Sequence, residues 1–418
     1  MYEINTLENG IKIVSENISF VRSISFGIWV KVGSQNEDLN LNGISHFIEH
    51  MIFKGTDKRS AKDIAEQMDE IGGQINAFTT KQMTCFYFKI LDKNFDKALE
   101  IMADMFLNSS FSDEEIEREK QVVIEEINMY EDTPEELVFE LMHQKVFDGS
   151  SLAWPILGSI DNVKSFSHEK LKNYYEKNYF GENIIISVAG NFETREMLEK
   201  IKKYFGGIKN NRAEKKNLEV KYKNDFVIKK KDIEQVHICL GFPGVKNLVE
   251  KIYVLAVFNN IFGGGMSSRL YQKIREENGL AYSVFSYNYS YEKVGLFNIY
   301  AGINPSKVED CLKFIIHEIK NLDVNLISQK ELAKSKEQLK ASYLLNLESS
   351  SSRMNSLGRY MVFYNKILTS EEIIDEIDKI NLDDIYNLIR EIFDFSKISL
   401  SCVARDNYDL KKIVGENI

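Results

Sequence analysis

A chain of 418 residues is long for one ordinary domain and, at about 150 residues per domain, suggests two or three. Hydrophobic residues make up 44% and charged residues 28%, with a formal net charge of -10, which disfavours nucleic acid as the main partner and favours basic ligands. Four Pro and 23 Gly exclude a collagen-like or broadly disordered chain, and no apolar run approaches the roughly 18 residues of a membrane span, so no membrane partner is expected.

Residues 1–8 lack a positive segment followed by an apolar stretch, so no secretory signal is read and a cytoplasmic address is expected. Strands are predicted at 11–15 and at 23–33, the latter alternating with period two at its start. Helices at 44–54 and 61–71, strands at 73–80 and 84–91, and helices at 93–107, 112–130 and 133–147 follow. A helix at 168–178, a strand at 184–190 and a helix at 193–204 close the half. Cys85, Cys239, Cys311 and Cys402 stand singly and read as buried free thiols, since neither a disulfide framework nor a cysteine zinc site has that spacing.

From 206 to about 225 the apolar periodicity stops and Lys, Arg, Asn and Glu take over. The predicted organisation is an N-terminal domain at 1–208, a linker at 209–225 and a C-terminal domain at 226–418. After the linker the order of elements restarts, with a strand at 236–242, helices at 248–262 and 267–277, strands at 282–290 and 295–303, a helix at 306–320 and a long helix at 328–348. The long helices align: Ser112 with Glu115 and Ser328 with Glu331 both have the capping-box spacing. Helices come in runs instead of alternating singly with strands. The expected fold is therefore α+β, with two similar halves that are each a mostly antiparallel sheet packed with helices.

Two of the six histidines stand at i and i+4, in Ser45-His46-Phe47-Ile48-Glu49-His50. On a helix both imidazoles project from one face, close enough to share an ion, with Glu49 beside them. A hydrolytic zinc site uses three protein ligands, so a carboxylate must come from elsewhere. On the predicted helix at 112–130, Glu119 and Glu126 are seven residues apart and share a face, whereas Glu125 points away. Spacing does not choose among them. His143 and His237 read as structural histidines, and the alternating Tyr287, Tyr289 and Tyr291 as one face of a strand. Gly263-Gly264-Gly265 is followed by no P-loop Lys-Ser or Lys-Thr, so nucleotide binding is not expected.

The H-x-x-E-H run resembles the inverted zincin signature of the pitrilysin and insulinase metallopeptidases, and His46 to Thr56 is similar to the β subunit of mitochondrial processing peptidase and its bacterial relatives. The likeness spans nearly the whole chain. It implies a duplicated LuxS/metallohydrolase-like fold and Zn2+ held by His46, His50 and Glu126, with Glu49 as general base and Glu119 supporting the site. Gly72 to Thr79 resembles the family's active-site edge strand, which implies substrate contacts at Asn76 and Ala77. Ser267 to Tyr282 resembles the family's substrate-binding Arg and Tyr pair, here Arg275 and Tyr282. Where many relatives have an acidic residue after the edge strand, this chain has Gln82.

The implied activity is a zinc endopeptidase of a homodimer, acting in a closed chamber on unfolded, basic, leader-like peptides. The competing readings are a scaffold subunit of the same fold, or the active subunit of a heterodimeric processing peptidase. The second half has no H-x-x-E-H, and Ser335 and Ser342 stand where Glu119 and Glu126 align, so the same metal is not expected there.

Overall fold

The computed structural model describes residues 2–210, 219–322 and 326–417. The central residues of the expected linker, 211–218, lie outside them. The chain divides into two compact units, one of Met1–Asn128, Trp154–Leu218 and Leu345–Ile367, the other of Met129–Ala153, Glu219–Leu344 and Leu368–Ile418.

The first unit is built on a six-stranded sheet of β1 (Tyr2–Thr6), β2 (Lys12–Asn17), β3 (Ser23–Val30), β4 (Gln74–Thr79), β5 (Thr84–Leu91) and β6 (Ile184–Gly190), in the order β1-β2-β6-β3-β5-β4. Only β2 and β6 pair in parallel. Period-two alternation decides which side chains face which way. Ile24, Phe26, Ile28 and Val30 of β3 enter a large core with Phe86 and Phe88 of β5. That core is closed by α1 (Ile44–Ile52), α2 (Ala61–Glu70), α3 (Phe95–Asn108) and the start of α4 (Asp113–Glu131).

The other face of β3 presents Ser25, Gly27 and Trp29 to the helix Ser350–Tyr364. Trp29 is fully buried and its indole N–H donates to Ser187 Oγ at 2.7 Å. Such a side chain is worth about 3–5 kcal/mol when truncated. Gly358 packs flat on that indole, where an added Cβ would come within 2.0 Å of the ring, so the close approach requires glycine.

The second unit has a five-stranded sheet of β7 (Phe226–Lys230), β8 (Val236–Gly244), β9 (Ala281–Ser290), β10 (Gly295–Ile303) and β11 (Ser399–Ala404), in the order β7-β11-β8-β10-β9. On one face Phe242 and Phe297 meet Phe393 and the helix Val249–Phe262. The other face is covered by α5 (Pro134–Val146), whose Phe139 lies against Tyr287 and Tyr300 and whose His143 lies against Tyr289. Both structural histidines are satisfied there: His143 Nε2 pairs with Tyr291 Oη at 2.9 Å and His237 Nδ1 with Tyr300 Oη at 2.8 Å.

Two similar halves are thus present, but the packing does not follow their order in the chain. α5 comes from the first half and covers the second sheet, while Ser350–Tyr364 comes from the second half and covers the first. Each sheet is apolar on both faces and needs a cover on each. The helix after each long helix serves the sheet of the opposite half. The division expected at 209–225 is one of sequence order; by packing, Met129–Ala153 falls in the second unit and Leu345–Ile367 in the first.

The expected capping boxes differ in completeness. Ser328 and Glu331 exchange both bonds, at 2.8 and 3.2 Å, whereas at α4 only the Glu115 amide to Ser112 Oγ bond forms, at 3.4 Å. The helix expected at 267–277 differs more: residues Tyr271–Glu277 wind as a π-helix, stopped where Gly279 turns with φ +58. No helix among the described residues is long and apolar enough to cross a membrane.

Candidate metal centre

α1 owes its orientation to its two faces. Ile44, Phe47, Ile48, Met51 and Ile52 are buried in the first core, which leaves His46, Glu49 and His50 at the i, i+3, i+4 positions of the remaining face. Its N-cap is Gly43, which has φ +98 and no side chain to cap with. The carboxylate of Glu37 takes over that task, accepting from the backbone N–H of Gly43 and of Ser45 at 2.8 Å and from Asn42 Nδ2 at 2.9 Å. Burial pushes the Glu37 carboxyl up to about 7, against the pull of those donors. Glu37 carries no signal in the sequence, because a cap seven residues before the helix has no local spacing pattern.

α4 supplies the carboxylates. His46 Nε2 and His50 Nε2 lie 3.2 Å apart, and Glu126 Oε2 is 3.7 Å from the first and 3.5 Å from the second. Among the described residues this is the one group of His, Cys, Asp or Glu whose ligand atoms converge in this way, all within 4.8 Å. Metal–nitrogen bonds of about 2.0–2.1 Å at tetrahedral angles put ligand atoms roughly 3.3 Å apart, so two nitrogens and one oxygen at these separations fit a single zinc ion.

The protonation of His46 agrees with that fit. Burial, then the neighbouring His50, hold His46 down to about 3, against the opposing charge of Glu119, so its ring is neutral. Its Nδ1 is buried without a partner, which leaves Nε2, aimed at the other two donors, to do its chemistry. Burial lowers His50, but the hydrogen bond and charge of Glu119, with Glu126 and Glu49, outweigh it and raise this imidazole above its usual value. Burial and the charge of Glu119 raise Glu126, with His50 opposing.

Glu119 does a different job from Glu126. Its Oε1 meets His50 Nδ1 at 2.7 Å and its Oε2 meets Lys54 Nζ at 2.5 Å. These two hydrogen bonds overcome burial and keep the carboxyl below its ordinary range. With the buried Glu119 carboxylate accepting from Nδ1–H, a neutral His50 ring carries its lone pair on Nε2. Lys54, one turn past His50, had no signal of its own in the sequence. Glu125 is exposed.

Glu49 stays outside the converging group. Burial raises its carboxyl, with Glu126 adding to the rise, while the Thr79 hydrogen bond and His50 pull it down. Thr79 Oγ1 donates to Glu49 Oε2 at 2.5 Å and is the last residue of β4, the edge strand of the sheet. Asn76 and Ala77 lie on the same strand, where the Ala77 amide donates to Asn76 Oδ1 at 2.8 Å. In the second unit the Arg275 guanidinium stacks over Tyr282, 5.5 Å from its ring centre, and over Tyr271 at 4.9 Å, a third member that the sequence reading did not include. Ser335 is buried and donates to the Val257 carbonyl at 3.0 Å, and Ser342 is exposed.

Residues 12–159 match the family model described as "Insulinase (Peptidase family M16)", and residues 165–339 match "Peptidase M16 inactive domain". The chain belongs to peptidase family M16. This M16 chain is 42% identical to the "uncharacterized zinc protease YmxG" of Bacillus subtilis, over 93% of its own length and 95% of that protein's. A crystal structure of a protease from Helicobacter pylori superposes with a TM-score of 0.91 at 25% identity, covering 97% of this chain and 99% of that one. A "peptidase M16 inactive domain" from Pseudomonas fluorescens has the same fold, with a TM-score of 0.90 at 19% identity over 97% of this chain and 98% of that one.

The role of Glu119 is open to a direct check on this M16 chain. Glu119→Gln is expected to weaken zinc binding by about 10–100-fold in competition with a chelator. Parent affinity in that variant would mean that the Glu119 contact does not orient His50.

Proposed function

We propose that this chain is a zinc endopeptidase that cleaves unfolded, basic peptides. The observation that carries the proposal is the convergence of His46 Nε2, His50 Nε2 and a Glu126 oxygen within 4.8 Å, with Glu49 beside them on α1 but outside the group. A zinc ion bound there would supply Lewis acidity, polarising a peptide carbonyl and lowering the pKa of water toward about 7.

The side chains have separable tasks. Glu49 takes the proton of the attacking water and returns it to the leaving amine. Glu119 keeps the His50 ring in the ligating tautomer. The open edge of β4 adds the substrate as a further strand, held by main-chain bonds at Asn76 and Ala77. Loss of Glu49's charge alone separates chemistry from metal binding. Glu49→Gln is expected to keep parent zinc content while kcat for an unfolded peptide falls by about 10²–10⁴-fold. Cleavage by that variant at the parent rate would reject Glu49 as the base.

The second unit enters this reading through Arg275 and Tyr282, which hold the peptide in a homodimer closed around an acidic chamber. Its support is the resemblance of Ser267 to Tyr282 to the family's Arg and Tyr pair, the stacking of those two side chains, and the net charge of -10. If one subunit's pair serves the other's metal site, mixing Glu49→Gln with Arg275→Ala chains should restore part of the lost activity. Mixed dimers that form but stay inactive would count against sharing.

A further inference from the structure

A hydroxyl has one proton to donate, and the two threonines behind Glu49 divide theirs. Thr79 and Thr84 face each other across β4 and β5, with their Oγ1 atoms 3.4 Å apart. Thr84 Oγ1 donates to the buried carbonyl of Val32 at 3.0 Å, so its proton is committed. Thr79 Oγ1 is 2.5 Å from Glu49 Oε2, and an ionised carboxylate can only accept, so the Thr79 proton goes to Glu49. Among the described residues the second oxygen, Glu49 Oε1, has no protein hydrogen-bond partner.

We propose that Thr79 is a positioning residue for Glu49: by holding Oε2, it leaves Oε1 as the oxygen that takes and returns the proton. This inference rests on the reading of Glu49 as the base. Thr79 is well suited to the task. Its β-branched side chain is stiff about χ1, and its backbone is fixed by the pairing of β4 with β5. It is also the last residue of the edge strand. The base is therefore tied to the strand that a peptide would join, so binding and proton transfer share one rigid element. The carboxylate would otherwise turn about its terminal torsion, and a reacting group misplaced by about 1 Å can cost 10²-fold.

The test compares Thr79→Val, which keeps the shape and strand preference but loses the donor, with Thr79→Ser, which keeps the donor. In the zinc-loaded enzyme with an unfolded peptide, Thr79→Val is expected to lower kcat by about 10–100-fold with KM and zinc content at parent values. Thr79→Ser should keep most of the parent kcat. A purely structural role would lower zinc content or raise KM together with any loss of kcat, and would not be rescued by the hydroxyl. Independently of catalysis, the urea midpoints of zinc-free parent, Thr79→Val, Glu49→Ala and the double variant should be non-additive. Additive midpoints, parent kcat in Thr79→Val, or a Ser variant as slow as the Val variant would each overturn the inference while leaving Glu49 as base. A zinc-loaded parent that cuts no peptide would overturn both.

Discussion

The first unit is organised around a demand that is costly in a folded chain: two imidazole nitrogens 3.2 Å apart, with a carboxylate oxygen 3.5 and 3.7 Å away. As a set of metal ligands, with both lone pairs and the carboxylate converging, such a group would repel without a cation, and burial would make it worse. The surroundings resist that by rigidity. α1 is driven into the core by five apolar side chains and capped by a carboxylate from outside itself, while α4 delivers Glu119 and Glu126 on one face. Glu119, itself neutralised by Lys54, holds the His50 proton away from the centre. The Glu119 bond to His50 and the approach of Glu126 to the two Nε2 atoms make sense as preorganisation for a cation.

Much of this was legible in the sequence because it is local. The i, i+4 pair of histidines places two imidazoles on one face of α1, and the seven-residue separation of Glu119 and Glu126 fixes a shared face of α4. Which glutamate completes the set was not legible from spacing. It depends on how α4 meets α1, and the structure separates the two: Glu126 joins the histidine Nε2 atoms, and Glu119 turns to His50 Nδ1 and Lys54. Thr79 escaped for the same reason, since it reaches Glu49 across the fold, and Glu37 because a cap so far before its helix has no spacing signal.

The fold was legible to a similar depth. β3, β5 and β10 declare themselves by alternation or apolar runs, whereas β1 and β7 are edge strands, mostly partly exposed, with little pattern to read. Periodicity identified α5 as a helix but says nothing about which sheet a helix will cover. The exchange of α5 and Ser350–Tyr364 between units therefore emerges only from packing. The π-helix at Tyr271–Glu277 was hidden because one extra residue per turn leaves no clear trace in a short polar stretch. The duplicated halves have diverged in chemistry while keeping this architecture: where one long helix carries Glu119 and Glu126, the other carries Ser335, used to tie helix to helix, and exposed Ser342.

If His46, His50 and Glu126 hold one metal ion between them, the ion's own coordination will show it. X-ray absorption at the zinc edge, on parent protein and Glu126→Gln loaded with one equivalent of zinc, tests it most directly. Zinc in the parent is expected to be surrounded by two imidazole nitrogens and light oxygen donors, with weakened binding and altered coordination when Glu126 is neutralised. A parent that takes up no zinc, or a shell unchanged in Glu126→Gln, would contradict it.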